Sequence, residues 1–251
     1  MKTDLAATSQ PLPDLSRNQL LASLPAVDAA RWSPRLEIVE LTRGQVLSES
    51  GSAPAHVYFP TTAIVSLVYN TEDGDCSEIA VVGHDGLVGI SVITGGSSMP
   101  SQAVVQCAGQ AFRLPARTVR EEMAGSPAVL EMMLGYFRAM LTQVAQTAAC
   151  NRYHTVDQLL CRRLLLALDR STGFSLAMTQ EGVANLLGVR REGVTSAALK
   201  LQQAGVIRYS RGRIAVLDRQ QLEARSRAAP GRYEGVTPHA DSAYQRVACA
   251  A

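Results

Sequence analysis

The stretch Met178–Leu201, MTQEGVANLLGVRREGVTSAALKL, decides how the whole chain is interpreted. Thr179 is a favoured N-cap residue, and Glu181 puts a negative charge into the first turn of the helix that follows. Gly188 supplies a turn. A second helix is expected from about Arg190. The stretch therefore predicts two helices joined by a short turn, which is the helix-turn-helix arrangement.

The second predicted helix has two different faces. Its apolar face packs on the first helix and contains Val194, Ala197, Ala198 and Leu201. Its other face is polar and contains Arg191, Glu192, Thr195, Ser196 and Lys200. A free polar face of this kind can enter the major groove of double-stranded DNA and present its N-terminal residues to base edges. For the two helices alone, the other explanation is a helix pair that only packs together and does not bind DNA.

The residues that follow strengthen the DNA-binding interpretation. Residues 206–217, VIRYSRGRIAVL, predict a β-hairpin with a basic tip at Arg211-Gly212, in other words a wing. Residues 151–220 contain 11 Lys/Arg and 5 Asp/Glu, a net charge of +6, whereas residues 1–150 contain 9 and 14, a net charge of −5. A basic segment joined to an acidic one indicates a polyanionic partner for the basic part.

The first half of the chain has the pattern of a β protein. Short strand-like runs recur between turns rich in Gly, Ser and Asp. They are Leu36–Leu41, Gln45–Ser48, His56–Phe59, Ala63–Tyr69, Ser77–Val82, Gly86–Ile93, Ser101–Cys107 and Gln110–Leu114. Many short strands at this spacing predict a small antiparallel barrel or roll.

A long helix is predicted after Ser126-Pro127, a cap followed by a proline in the first turn. Apolar residues then alternate in steps of three and four, which favours contact with a partner helix in a dimer over a core helix in a monomer. This seam consists of Leu130, Met133, Phe137, Met140 and Val144. Leu134, Tyr136 and Leu141 widen it, so one side of the helix can also lie on the roll.

The predicted fold class is α+β: an N-terminal antiparallel β-roll or jelly roll, a long dimerisation helix and a C-terminal winged helix-turn-helix. The expected organisation is a flexible leader (1–18), a sensor roll (19–122), the dimerisation helix (123–153), the DNA-binding domain (154–220) and a mostly disordered tail (221–251).

Composition excludes several other classes of protein. The chain has 251 residues, 47% of them hydrophobic, as in a globular protein with a sizeable core. It has neither the run of about 18 apolar residues that a membrane span needs nor a signal peptide, so a cytoplasmic location is expected. Five cysteines without a CxxC motif and four scattered histidines indicate no metal or other cofactor. No catalytic motif is present, and an enzyme is not expected.

The order of roll, long helix, helix-turn-helix and wing, with the motif TQEGVANLLGVRREGV at 179–194, resembles the Crp/Fnr family of bacterial transcription regulators. The resemblance covers about residues 18–220. It implies a homodimer on a partly palindromic operator, with RNA polymerase as a further partner. Arg191 and Glu192 match the base-reading pair of the family. The expected DNA contacts are Thr179, Arg190, Arg191, Glu192, Thr195, Ser196, Lys200, Arg211 and Arg213, with Arg190, Lys200 and the wing arginines on the DNA backbone.

The resemblance also identifies a degenerate effector pocket. Gly89 and Ser101 match the residues of cyclic-nucleotide receptors, but Ile90 replaces the glutamate that holds the ribose and Pro100 replaces the arginine that holds the phosphate. Without the guanidinium, the charge-assisted bonds to the phosphate are lost. Cyclic AMP is therefore not expected to be the effector, which the sequence does not identify. The alternative function is a regulatory module that acts through protein contacts without binding DNA.

Overall fold

The computed structural model describes residues 13–72, 76–95, 98–171, 173, 175–210 and 212–227. The helices are α1 (Gln19–Ala22), α2 (Ala26–Trp32), α3 (Ala116–Gly125), α4 (Pro127–Tyr153), α5 (Val156–Asp169), α6 (Gln180–Leu187), α7 (Arg191–Gln203) and α8 (Arg219–Arg227). The strands are β1 (Glu37–Leu41), β2 (Val46–Ser48), β3 (His56–Pro60), β4 (Ile64–Asn70), β5 (Cys76–Val82), β6 (Gln102–Cys107), β7 (Gly109–Pro115), β8 (Ser175–Ala177), β9 (Ile207–Ser210) and β10 (Arg213–Val216).

The roll consists of two antiparallel sheets, with strand orders β1-β7-β3 and β2-β6-β4-β5. Their facing sides enclose a core in which Trp32 and Phe59 meet edge to face, with ring centroids 6.0 Å apart. The predicted α+β architecture, with its antiparallel roll, long helix and winged helix-turn-helix, is confirmed. Seven of the eight predicted strands are present within one or two residues of their expected limits.

The remaining predicted strand, Gly86–Ile93, is wrong. Gly89 has a φ of 103°, in the left-handed region that strands do not use, and Ile90–Val92 form a 3-10 turn. Val88 alone makes an isolated bridge, to Tyr58. The segment is apolar because the roll buries it from several sides, and burial of this kind gives a strand-like composition without a strand.

The long helix α4 begins at Pro127, as its Ser126 cap predicted, and the Ser126 hydroxyl accepts a hydrogen bond from the Val129 N–H at 3.4 Å. Residues 123–125, which the expected organisation included in this helix, end α3 instead. The position of the predicted seam is partly wrong. Met133 and Met140 are buried in the core of their own roll and cannot meet a partner helix. Tyr136 lies on the same side and donates a hydrogen bond from its hydroxyl to the Leu87 carbonyl at 2.8 Å.

The second face of the β2-β6-β4-β5 sheet is also covered by the chain. Along β4, Val65 and Leu67 point into the roll, whereas Ile64 and Val68 point to the other side. There they share a core with α5, α6, α7 and the small β8-β10-β9 sheet. The roll and the helix-turn-helix unit are therefore packed together rather than connected only through α4.

Both predicted terminal boundaries need correction. Residues 1–12 and the predicted disordered segment 228–251 lie outside the described residues, but Leu15–Arg17 form a 3-10 turn and Asn18 is fully buried, so the leader does not extend to residue 18. Residues 221–227 are not a disordered tail, because they belong to α8. Leu222 of that helix is fully buried against α5.

Asn18 joins the first helix to the roll, and this predicts a large effect of its removal. Its amide nitrogen donates to the carbonyls of Pro60 and Gly86, both at 2.9 Å, and its amide oxygen caps α1 by accepting the N–H groups of Leu20 and Leu21, both at 3.1 Å. Asn18→Ala is expected to cost about 2–4 kcal/mol, because buried groups lose their partners.

Chemical unfolding of the full chain measures this cost. The matched control is Asn70→Ala at the exposed end of β4, for which a change within about 0.5 kcal/mol is expected. Equal effects of the two substitutions would contradict the structural role of Asn18.

Candidate nucleic-acid interface

The helix-turn-helix is built as the sequence predicted. Thr179 caps α6 through its hydroxyl oxygen, which accepts the Gly182 N–H at 3.0 Å. Gly188 ends the helix with a φ of 63°, and the following Val189 N–H donates to the Ala184 carbonyl at 3.1 Å. This is the hydrogen bond of a Schellman motif, and it turns the chain sharply into α7.

The two faces of α7 are sorted as predicted. Its apolar face is almost completely buried and contains Val194, Ala197, Ala198 and Leu201. The residues proposed to contact DNA are all exposed: Arg190, Arg191, Glu192, Thr195, Ser196 and Lys200. The structure therefore places five of these side chains along one exposed side of α7, and Arg190 directly before its first residue, Arg191.

Two of these side chains already have protein partners. The Thr195 hydroxyl lies 2.8 Å from Oε1 of Gln180 and 3.0 Å from the Arg191 carbonyl, so it connects the starts of α6 and α7. The Lys200 ammonium lies 2.9 Å from Oδ2 of Asp157 on α5. Both members of that ion pair are exposed, so water competes for it and the pair is readily exchanged.

Gln180 is a neighbour of the candidate interface that the sequence analysis did not include. It is the first residue of α6, and its amide oxygen lies within hydrogen-bond distance of Thr195 on the exposed surface. Its position directly after the Thr179 cap was the sequence signal that could have placed Gln180 beside the candidate interface. The start of α6 therefore belongs to the same surface as α7.

The wing is present as a hairpin of β9 and β10, and β8 extends it to a three-stranded sheet that was not predicted. Its turn contains Gly212, with a φ of 74°, and lies close to the start of α6, since a Cβ on Gly212 would be 3.6 Å from the Thr179 side chain. Arg213 is exposed beside this turn. Arg211 lies outside the described residues. Thr179 and Arg213 therefore flank the junction of the wing with the helix pair.

The residues of the degenerate effector pocket do not form a polar site. Ile90 is buried in the apolar core of the roll. Ser101 is also buried, whereas Pro100 is exposed and its carbonyl accepts a hydrogen bond from the Ser50 hydroxyl at 2.9 Å. Gly89 lies close to the backbone of His56. The side chains at 90 and 100 thus offer no charged group to a ligand.

Metal and thiol chemistry gain no support from the described residues. Among them, no group of three or more His, Cys, Asp or Glu could hold a metal ion. Burial raises the pKa of the thiols of Cys76, Cys107, Cys150 and Cys161, the last to about 11. These thiols stay protonated at neutral pH and are weak nucleophiles. No helix in the part of the chain that the structure describes is both long and apolar enough to cross a membrane.

These features define a class of protein: a cyclic-nucleotide-binding-type roll joined by a long helix to a winged helix-turn-helix. Comparisons with known proteins agree. A family model for the cyclic nucleotide-binding domain matches residues 38–126, and one for the Crp-like helix-turn-helix domain matches residues 159–225. A comparison with curated protein sequences gave no significant match.

Solved structures have the same fold. FixK2 from Bradyrhizobium japonicum is 16% identical, with a TM-score of 0.65 over 78% of this chain and 99% of its own. A transcriptional regulator of the Crp/Fnr family from Thermus thermophilus is 20% identical, with a TM-score of 0.62 over 77% of this chain and 100% of its own. The chain belongs to the Crp/Fnr family and is a transcriptional regulator with a helix-turn-helix DNA-binding domain.

The turn at Gly188 predicts a strong dependence on residue type. Gly188→Val is expected to destabilise the protein by about 1–3 kcal/mol, because a β-branched residue is strained at positive φ. Gly188→Asn is expected to cost less, since Asn tolerates this region. The matched control is Gly125→Val, at a helix end with open space around it and no positive φ. Thermal unfolding measures all three variants, and equal losses at 125 and 188 would contradict the prediction.

Proposed function

We propose that the protein acts as a homodimer that reads a partly palindromic operator with its two α7 helices. The observation that carries this proposal is the sorting of α7, whose apolar side is buried while its six polar candidates remain exposed. A helix with this division fits the major groove, and two copies related by a twofold axis fit half-sites about one DNA turn apart.

Base contacts are assigned to the start of α7. Arg191 can donate two hydrogen bonds to O6 and N7 of guanine, and Glu192 can accept one from N4 of cytosine. Thr195 and Ser196 lie one helical turn further along the same side. Ser196 occupies the position of a third base-reading arginine in the cyclic-AMP receptor, so the operator half-site should differ from that receptor's.

Contacts to the DNA backbone are assigned to residues on either side of these base-reading residues. Arg190 and Lys200 are assigned to phosphates at the two ends of the polar side of α7, and Lys200 then exchanges its ion pair with Asp157 for the DNA. Thr179, Arg211 and Arg213 are assigned to the phosphates beside the wing. Such contacts position the protein on the duplex but carry little sequence information.

The dimer contact is assigned to the side of α4 that carries the exposed residues Leu134 and Leu141. Replacing Met133 and Met140 with Leu134 and Leu141 in the predicted seam preserves its alternating steps of four and three. The two leucines are exposed, whereas Phe137 and Val144 are partly buried against the roll core. The revised seam is Leu130, Leu134, Phe137, Leu141 and Val144, of which Leu134 and Leu141 are 51% and 54% exposed. Exposed apolar residues in this repeat are what a helix pair buries.

The proposed function is not enzymatic, and it does not use cyclic AMP as the effector. Buried Ile90 and exposed Pro100 support the second statement, because neither can pair with a ribose hydroxyl or a cyclic phosphate. RNA polymerase is the expected partner on the promoter. A lack of any DNA retention at low salt would instead favour a module that acts through protein contacts.

Separating base contacts from backbone contacts tests the interface. Arg191→Ala is expected to cost about 1–3 kcal/mol of operator affinity and to relax the preference at one base pair. The matched variant is Arg213→Ala, which should weaken binding to all DNA sequences equally. It should also reduce the slope of log affinity against log salt concentration by about one. Fluorescence anisotropy across a salt series and selection from random duplexes measure both. A changed base preference for Arg213→Ala would contradict its assignment.

The revised seam makes a prediction about assembly. Leu134→Glu together with Leu141→Glu should raise the dimer dissociation constant about 100-fold or more, because the contact would bury unpaired charges. Operator affinity should fall with it. The control is Val27→Glu, which also adds a glutamate, at a residue that is 70% exposed and off α4. Sedimentation equilibrium measures the effect, and an unchanged dimer would contradict the seam.

A further inference from the structure

Two arginines of the DNA-binding domain are held by carboxylates of the roll. Arg163, in the middle of α5, has its Nε 2.7 Å from Oε1 of Glu78 on β5. Arg170, which follows α5, has Nη2 2.7 Å from Oδ2 of Asp85, in the turn after β5. The side chains of Glu78, Arg163 and Arg170 are at most 7% exposed, and that of Asp85 is 29% exposed. We call these contacts the junction pairs.

The roll itself holds Glu78 in place. The Ser66 hydroxyl on β4 donates a hydrogen bond to Oε2 of Glu78, which leaves Oε1 for Arg163. Burial raises the pKa of the Glu78 carboxyl, while Arg163 and the Ser66 hydroxyl favour its charged form. A guanidinium buried on α5 must meet this carboxylate, because without it the charge would lie unpaired in a dry interior. The partner of Arg163 is thus fixed by the sheet and not by the DNA-binding domain.

The two junction pairs together fix the direction of α5. Arg163 and Arg170 are two helical turns apart, about 10 Å along the axis, and lie on the same side. A stiff helix attached at two such points cannot pivot about either one. Gly83 shows how tightly the second point is packed, since a Cβ there would lie 2.5 Å from Cβ of Arg170. This position has space only for glycine.

Helix α5 also carries the recognition helix α7. Leu160 and Leu164 of α5 share one buried cluster with Ala197 and Leu201 of α7. The direction of α5 relative to the roll therefore determines where α7 lies relative to the roll and to α4, which emerges from it.

We propose that Glu78, Arg163, Asp85 and Arg170 are positioning residues for DNA recognition, which set the distance between the two α7 helices and hence the half-site spacing that the dimer accepts. This inference rests on the proposed function, since it requires a dimer on two half-sites. None of the four residues contacts DNA. They act by fixing α5 on the roll of the same protomer.

Apolar packing alone would not supply this constraint. Ile64, Val68 and Val81 of the roll already bury area against α5 and α6, but such contacts have no preferred direction and tolerate sliding. Each junction pair holds a guanidinium nitrogen 2.7 Å from a carboxylate oxygen, and sliding of α5 would lengthen this distance and weaken the attraction. Removing the charges while keeping the side-chain volume should therefore preserve the apolar packing but no longer fix the position of α5 on the roll.

The experiment is selection from a duplex library in which two identical half-sites are separated by spacers of variable length. The full chain is compared with two double variants, Glu78→Leu with Arg163→Met and Asp85→Asn with Arg170→Met. Neutral replacement of both charges avoids the unpaired buried ion that a single substitution would leave. The second pair, at the more exposed edge of the junction, provides a variant less dependent on core packing. Circular dichroism and sedimentation confirm the fold and the dimer.

The expected result is one dominant spacer for the wild type and several neighbouring spacers for each double variant, with the same half-site sequence. Affinity for the preferred operator should fall about tenfold, because the second half-site is no longer presented at its optimal distance. Affinity for a duplex with one half-site should stay within about twofold. A merely stabilising role would lower all affinities together. The control is Arg117→Met with Glu121→Gln, an exposed pair on α3, which should leave the spacer preference unchanged.

Two results would overturn the inference, and they differ in meaning. If the double variants fold and select the same single spacer as the wild type, the junction pairs do not position α7, while the proposed function stands. If the wild type itself selects no paired half-sites, the proposed operator fails and this inference fails with it.

Discussion

The junction along β5, where the roll meets the long helix and the DNA-binding domain, is the contact on which the rest of the structure depends. Helix α6 packs on β5, Arg163 of α5 pairs with Glu78 of this strand, and Gln143 of α4 accepts the Val81 N–H at 2.8 Å. Because β5 is the edge strand of its sheet, this hydrogen bond also satisfies a backbone group that an edge would leave unpaired. Roll, long helix and DNA-binding domain thus meet along one strand, and the position of each depends on the other two.

Local sequence signals predicted the DNA-binding domain well. Thr179, Gly188 and the alternating faces of α7 act within a few residues of one another, so capping and periodicity suffice to place them. The same holds for the Ser126 cap of α4 and for the wing turn at Gly212. Strand β8 was not predicted, because three residues carry too little pattern and it forms only by pairing with β10.

Features set by distant contacts were not predictable in this way. Along α4, the series 130, 133, 137 and the series 130, 134, 137 both alternate steps of three and four, and only the location of the roll shows that Met133 is internal and Leu134 is not. Similarly, nothing near Glu78 in the sequence indicates Arg163. A charged residue inside the apolar repeat of α5 was the available signal that a buried partner exists.

The shared junction limits how freely such a protein can be recombined. A winged helix-turn-helix moved onto a different roll takes Arg163 and Arg170 with it but leaves behind the acids and the glycine that accommodate them. The hybrid would then bury guanidinium groups without counter-charges. The Arg170 side chain would also clash with any residue larger than glycine at the position of Gly83. Functional hybrids between members of such a family therefore require the β5 segment and its following turn to be exchanged together with the DNA-reading half.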